Sequence, residues 1–105
     1  MSDPGNFGTV IGQGSLLEGT LLIDHGIRVD GTFRGRVTTP TALLVNDGGE
    51  VESDLVAVGT AEIHGTVVGT IRARHWVRIG ATARLNGSIE TPRLIVEEGA
   101  MIVNR

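Results

Sequence analysis

The chain contains no cysteine and no lysine, and only three of its 105 residues are aromatic. Without cysteine there is no disulfide framework and no thiol site, which fits a reducing compartment. Without lysine there is no Walker A phosphate-binding loop. All nine basic residues are arginines and the net charge is −3, so the cationic excess needed for general binding of phosphate backbones is missing. We therefore expect no nucleotide, no other cofactor and no nucleic-acid partner.

Long apolar runs are also missing. No stretch approaches the roughly 20 residues that a membrane-spanning helix needs. The opening residues, MSDPGNFG, lack the basic and apolar regions of a signal peptide. We expect residues 1–8 to form a short flexible N-terminal tail, residues 9–105 to form one domain, and the protein to lie in the cytoplasm.

The abundant residues are 12 Val, 9 Ile, 11 Thr and 16 Gly, and they recur in an internal repeat. Repeats of this kind indicate stacked structural units, and β-branched residues favour strands. Three apolar columns recur along the sequence, in steps that alternate between 16 and 18 with a single step of 17. The first column is Ile11, Val29, Val45, Ile63, Ile79 and Val96. The second is Leu17, Phe33, Val51, Val67 and Leu85, and the third is Leu21, Val37, Leu55, Ile71 and Ile89.

A small residue lies between the second and third columns in every turn, which indicates a corner where the backbone bends. Around the columns, polar and apolar residues alternate as in strands with one buried face. Glu18, Arg34 and Glu52 fall on successive rungs, where opposite charges attract. The pattern predicts an all-β fold, a right-handed parallel β-helix of five to six triangular turns with roughly 16–18 residues per turn.

The columns also predict the core. We expect the following side chains to be buried: Val29, Phe33, Val37, Val45, Val51, Leu55, Ile63, Val67, Ile71, Ile79, Leu85 and Ile89.

The two ends of such a coil carry unpaired backbone groups and an apolar cross-section, and no capping helix is predicted to cover them. Ends that meet other copies grow into an open filament, so the protein itself is the expected partner. The predicted N-terminal polymerisation end is Phe7, Val10, Ile11, Leu16, Leu17 and Leu21. The predicted C-terminal end is Leu94, Val96, Met101, Val103 and Arg105. We hypothesise that Arg105 weakens contact between C-terminal ends, because burying its charge costs desolvation.

Catalytic and ligand-binding signals are weak. The three histidines lack the spacing of a metal site, and the acidic pairs, such as Glu97 with Glu98, lie on a polar outer surface without a predicted cleft. We therefore predict no catalytic, cofactor-binding or metal-binding residue. The single tryptophan, Trp76, is interpreted as a side chain lying over corner aliphatics, with a partner anchor as the alternative.

Several segments resemble the bactofilin family of bacterial cytoskeletal proteins. They include TVIGQGSLLEGTL at 9–21, IRVDGTFRG at 27–35 and ATARLNGSIETPRLIVEEGA at 81–100. The resemblance implies a right-handed β-helix that forms nonpolar filaments without nucleotide. It also implies roles in cell shape, division or the positioning of cell-wall enzymes, often at the membrane. Membrane attachment in relatives is attributed to the N-terminal tail, which here offers Met1 and Phe7 as a weak apolar anchor.

Two other functions remain open from the residues alone. A hexapeptide-repeat acyltransferase also uses a β-helix, and the run Val45, Val51, Ala57 and Ile63 has its six-residue step. Those coils keep the same length in every turn, however, whereas the steps in this chain alternate between 18 and 16. A monomeric binding scaffold with capped ends is the third reading. A non-enzymatic filament subunit is the function that the pattern favours.

Overall fold

The computed structural model describes residues 7–103, and for residue 7 the backbone alone. The described chain is all β, with no helix. Consequently, no helix within this range is long and apolar enough to cross a membrane. The ten strands are β1 Phe7–Ile11, β2 Leu16–Leu22, β3 Gly26–Val29, β4 Thr32–Thr38, β5 Ala42–Val45, β6 Glu50–Ile63, β7 Thr66–Ile79, β8 Arg84–Glu90, β9 Leu94–Val96 and β10 Met101–Val103.

All the strand pairs run parallel, and each strand lies on the one that the chain laid down a turn earlier. The result is a β-solenoid of about six turns with three faces. Face 1 consists of β1, β3, β5, the last parts of β6 and β7, and β9. Face 2 consists of the first parts of β2, β4, β6, β7 and β8, and then β10. Face 3 consists of the end of β2, the end of β4, the middle of β6, the middle of β7 and the end of β8.

The strand register confirms the repeat that the sequence predicts. On face 1, the first apolar column pairs residue on residue from Ile11 to Val96, in steps of 18, 16, 18, 16 and 17. On face 2, Leu17 pairs with Phe33 and the second column continues unbroken to Leu85. On these two faces the turns therefore alternate in length as the columns predict.

The interior is one continuous apolar cluster along the axis of the coil. Complete burial of an aliphatic side chain stabilises a fold by about 1.5–3 kcal/mol, so these columns supply the main stabilisation of a thin domain. Of the predicted core, the structure buries Val29, Phe33, Val37, Val45, Val51, Ile63, Val67, Ile71, Ile79 and Leu85 and half-buries Ile89.

Glycine is required at the corner between faces 2 and 3. Gly35, Gly69 and Gly87 have φ of 138°, 127° and 147°, a region that residues with a Cβ rarely adopt. A Cβ on any of the three would lie within 1.8 Å of a carbonyl oxygen one rung below. Only a residue without a side chain lets neighbouring rungs approach this closely.

The third turn breaks this rule, because Ser53 occupies its corner. The register there shifts by one residue between Ser53 and Val56, which is a β-bulge. The Ser53 hydroxyl donates a hydrogen bond to the Leu55 carbonyl over 2.9 Å and accepts one from the Leu55 N–H over 3.1 Å. The bulge places one additional residue between the second and third columns of this turn.

The bulge makes one core prediction wrong. Val56, fully buried, pairs with Val37 and Ile71 in the third column, whereas Leu55 is only half-buried. The same shift turns Val58 inward and leaves Ala57 half-buried. The six-residue run that suggests a hexapeptide repeat is therefore interrupted at Ala57.

Candidate assembly surfaces at the two ends

Both ends of the solenoid present strands that are hydrogen-bonded on one side only. At the N-terminal end, β1 pairs with β3 alone and β2 with β4 alone, counting strands within residues 7–103. At the C-terminal end, β9 pairs with β7 and β10 with β8, again among the described strands. Each end therefore offers a row of backbone N–H and C=O groups that another strand can bind.

At the N-terminal end, the predicted residues divide into inward and outward sets. Leu17 and Leu21 continue the buried second and third columns to the end of the coil, where Leu17 is exposed and Leu21 is half-buried. We call the inward-facing apolar side chains at each end of the coil its mouth. Val10 and Leu16 point outward, since they pair with Arg28 and Thr32. The inward residue Ile11 is only 5% exposed, so it belongs to the core and contributes little surface to the end.

Phe7 lies at the start of β1, but its side chain is outside the described part of the structure. Sequence reasoning missed Leu22, which is 79% exposed and is the most exposed large aliphatic residue among those described. It points outward on face 3, one rung below Thr38. A search for inward columns alone could not find it, because it lies in an outward column.

At the C-terminal end, the predicted residues Met101 and Val103 pair with Arg84 and Asn86 of two outward columns, so they lie on the outer surface of the last rung. Ile102 stands on Leu85 in the second column and forms that part of the mouth. Because three apolar residues follow one another in β10, alternation could not separate inward from outward. The last step of the first column, from Ile79 to Val96, has the same length as the step from Leu85 to Ile102, so the spacing of the first column also predicts Ile102.

On face 1, Leu94 and Val96 stand on the buried Val77 and Ile79, and both are exposed. These two residues of the predicted C-terminal end therefore form the face-1 part of the mouth. Between them, Ile95 points outward above Arg78 and is 44% exposed. Arg105 lies outside the described residues.

Charges on neighbouring rungs approach as the columns predict. Arg34 lies 4.0 Å from Glu18 and 3.9 Å from Glu52. Glu62 is in register with Arg78, but the guanidinium of Arg78 reaches the last rung and donates to Glu97 over 2.6 Å. That hydrogen bond and the attraction between the two opposite charges lower the pKa of Glu97 and raise the pKa of Arg78. A charged pair therefore ties β7 to the C-terminal rung.

The other candidate residues are dispersed. His25 lies 2.7 Å from the Thr9 hydroxyl, and His64 lies 2.7 Å from a Glu62 carboxylate oxygen. No group of three or more His, Cys, Asp or Glu in the described range could hold a metal ion. Trp76 is half-buried and lies beside Thr60 on face 1.

These features define a class of protein: a parallel β-solenoid whose two ends are apolar and unpaired over the described residues. The sequence profile of the bactofilin family, whose members are described as polymer-forming and cytoskeletal, matches residues 9–105. The chain belongs to the bactofilin family.

Two relatives from Myxococcus xanthus (strain DK1622) support this assignment. Bactofilin BacP is 36% identical over 97 residues, which are 92% of this chain and 40% of that protein. Bactofilin BacO is 33% identical over 92 residues, which are 88% of this chain and 72% of that protein. The chain thus spans less than half of the length of BacP. No solved structure gives a significant match.

Proposed function

We propose that this chain is a non-catalytic filament subunit that self-assembles by stacking solenoid ends, without a nucleotide. The observation that carries the proposal is the composition of the two mouths, where Leu17 and Leu21 at one end and Val96 and Ile102 at the other extend the buried columns to the surface. Stacking would bury these side chains and pair the backbone groups of the terminal strands. The polymer-forming character of the family supports the same conclusion.

The cellular role follows from the family and not from a site on the solenoid. We place the filament in the cytoplasm as a scaffold for cell shape or for cell-wall enzymes, with the N-terminal tail as a contact to the inner face of the membrane. Residues 9–105 would be the assembling domain in this proposal.

The proposal is tested by light scattering, pelleting and electron microscopy of the purified chain without nucleotide. We expect filaments, and we expect Leu17→Glu or Val96→Glu to abolish them, because each places a carboxylate on an apolar mouth. Thr32→Glu is the matched control, since Thr32 points outward in a central rung. Circular dichroism verifies that the variants fold. Monodisperse single rods of the unmodified chain would overturn the proposal.

The same assay tests the terminal arginine. Arg105→Leu is expected to yield more polymer at a given protein concentration, because the charge no longer has to be desolvated between C-terminal ends. Equal polymer from both chains would show that Arg105 has no such effect.

A further inference from the structure

The corner between faces 1 and 2 is built from chain segments of two lengths. In each longer segment, which has four residues, the last N–H donates to the first carbonyl over 2.8 to 3.2 Å, so the segment is a tight turn. The shorter segments have two residues and connect the strands directly. The four-residue turns are 12–15, 46–49, 80–83 and 97–100, and the two-residue connections are 30–31 and 64–65. From the first turn to 80–83, long and short segments therefore alternate along the axis.

The middle residues of the long turns stand out from the coil. The Gly31 N–H donates a hydrogen bond to the Ile11 carbonyl, before the first turn. The Thr32 N–H donates to the Ser15 carbonyl, at the end of that turn. The hydrogen bonds between the two rungs thus bypass residues 13–14, which form the tip of the turn.

The glycines of this corner show the same alternation. A Cβ on Gly14 or Gly48, at the tips of long turns, would meet no atom within 4 Å. A Cβ on Gly31 or Gly65, in the short connections, would lie 2.3 Å from a carbonyl oxygen of the turn one rung below. The short connections therefore lie flat on the coil while the tips project. We call the gap above residues 30–31 notch A and the gap above His64 and Gly65 notch B.

A single cleft of about 480 Å³ extends through both notches, from Gln13 at the first tip to Thr82 at the third. On the floor of notch A, the Asp30 carboxylate accepts a hydrogen bond from the Asn46 side chain over 2.5 Å. The same carboxylate lies 3.1 Å from Nε of Arg28. The floor of notch A is therefore fixed by bonds to two neighbouring side chains.

The floor of notch B is fixed in the same way. Nε2 of His64 lies 2.7 Å from a Glu62 carboxylate oxygen, and the Thr82 hydroxyl donates to the His64 carbonyl over 2.7 Å. The second of these bonds ties the third tip to the floor beneath it. A surface that is already ordered loses less entropy on binding, so both notches are prepared to receive a ligand.

The charge of the cleft favours a cationic ligand. Asp47, at the middle tip, is exposed and lines the cleft. Within residues 7–103 it forms no ion pair. The only arginine that lines the cleft, Arg28, is paired with Asp30. A free carboxylate thus lies between the two notches, where a cation in either notch would be attracted to it.

The spacing of the notches selects a ligand conformation. Their floors are two rungs apart, which is about 9.6 Å. A polyproline II helix has three residues per turn and rises by about 3.1 Å per residue, so residues i and i+3 point the same way about 9.3 Å apart. Residues on one side of an extended strand repeat every 6.6 Å or so. Each notch is one rung wide, about 4.8 Å, which admits a planar guanidinium but not a helix backbone.

We propose that this cleft binds a proline-rich segment of a partner protein in the polyproline II conformation, with one arginine in each notch. The two arginines are three residues apart and flank Asp47, and a guanidinium can donate two parallel hydrogen bonds to a carboxylate. Prolines between them keep the spacing at low entropic cost, because the free segment already has this conformation. The inference goes beyond the proposed function and does not require the solenoids to stack.

A second copy of this chain fits the cleft less well. Its tips have the same period, so two parallel coils shifted by one rung could place the tips of each in the notches of the other. The Asp47 of one copy would then enter notch A of the other copy, beside Asp30. Like charges repel there, whereas an arginine is attracted.

The test compares two dye-labelled peptides of identical composition by fluorescence anisotropy, at low salt and below the critical concentration of the chain. In the first, Pro-Pro-Arg-Pro-Pro-Arg-Pro-Pro, the arginines are three residues apart. In the second, one arginine is moved by one position, so that the spacing is four residues. That spacing is about 12.4 Å and turns the second arginine about 120° away from the cleft. We expect the first peptide to bind about tenfold more tightly, because only it fills both notches.

A charge variant with a matched control tests the location. Asp47→Asn is expected to weaken binding of the first peptide about fivefold, because it removes the free carboxylate between the notches. Asp54→Asn removes an exposed carboxylate at the corner between faces 2 and 3, and it should leave the affinity unchanged. Equal effects of the two variants would show that the peptide responds to overall charge, which would overturn the proposal.

A notch variant tests the geometry. Insertion of two residues after His64 turns the short connection into a four-residue turn and fills notch B. The fold tolerates long turns on successive rungs, since Gly99 lies in a turn stacked on Ala81, where an added Cβ would be 3.5 Å from the Ala81 Cβ. The variant should bind both peptides equally, and circular dichroism verifies that it folds. A retained preference for the three-residue spacing would contradict the role of notch B.

The remaining outcomes also decide. Equal affinity of the unmodified chain for the two peptides, or no binding of either, would overturn the proposal. So would tighter binding of an alanine-based helical peptide with two arginines seven residues apart. If the chain binds the first peptide selectively but forms no filaments, the proposed function alone fails. If it forms filaments without this selectivity, this inference alone fails.

Discussion

The central rungs and the terminal rungs share the same outward columns but fill them differently. One outward column of face 1 holds Arg28, Glu62 and Arg78 in its central rungs, with a half-buried Leu44 among them, and ends in Val10 and Ile95. One outward column of face 2 likewise holds Thr32, Glu50, Thr66 and Arg84 centrally and ends in Leu16 and Met101.

The inner columns show no such change along the axis. Every rung needs inward aliphatic side chains to fill the coil, so the inner wall is apolar from end to end. The outer wall needs polar residues only where it meets water. Exposed apolar patches on an otherwise polar surface mark contact surfaces, and apolar residues of the outer wall are concentrated near the two ends, with Leu44 and Val68 as exceptions in central rungs. The comparison therefore separates residues that fold the chain from residues that would join copies in the proposed function.

The largest expected effect is on the free energy of unfolding, and it distinguishes a buried core residue from an exposed residue of the first rung. Phe33→Ala, at a fully buried central position, is expected to lower the free energy of unfolding by about 3–5 kcal/mol. Leu22→Ala, in the first rung, is expected to change it by less than about 0.5 kcal/mol while reducing the amount of polymer. Urea denaturation below the critical concentration and a pelleting assay measure the two effects. Similar destabilisation by both variants would mean that the terminal rung is part of the core.

The next largest effect on stability is expected from a comparison of two glycines, one at the corner between faces 2 and 3 and one in the first turn. Gly69→Ala should destabilise the fold by about 3 kcal/mol, because the position combines a φ of 127° with a Cβ placed 1.6 Å from the Ser53 carbonyl oxygen. Gly12→Ala is the matched change in the first turn, where no atom lies within 4 Å of the added Cβ. Thermal melts compare the two, and equal stability would contradict the close approach of rungs at the glycine corner.

The smallest effect is a pH dependence confined to the C-terminal rung. The Arg78 hydrogen bond and charge lower the pKa of Glu97 in the folded chain, so the contact stabilises β9 above the ordinary Glu pKa. That stabilisation is lost as the pH falls through the lowered folded value. The Glu97 N–H donates to the Ile79 carbonyl, so its protection from hydrogen exchange should fall in acid, whereas protection at Val45 and Ile63 should not show this additional effect. Arg78→Gln should remove the difference, and its persistence in that variant would exclude this pair as the cause.

Much of the fold could be predicted because the repeat is carried by residue type and spacing. Two of the three columns appear in the structure at the predicted positions, since each turn returns to the same face after a near-constant number of residues. The third column could not be followed through Leu55 and Val56, because both are apolar and either could point inward. The hydrogen bonds of Ser53 decide between them.

At the two ends, the direction of each side chain depends more on strand register than on residue type. Runs of consecutive apolar residues, such as Met101–Val103, satisfy inward and outward positions equally well by residue type. Their direction is decided by the strand on which they lie, which is why Ile102 and not Met101 stands at the mouth.

By itself, the sequence determined a parallel coil with three apolar columns, glycine corners and ends without a predicted cap. It could do so because burial imposes one residue type on every rung, and spacing along the chain records that demand. Only the tertiary structure decided which terminal side chains face the axis and which face outward, and which backbone groups of β9 point away from β7. These depend on the pairing of strands a full turn apart, where one bulge shifts the register and the type of a single residue does not reveal it.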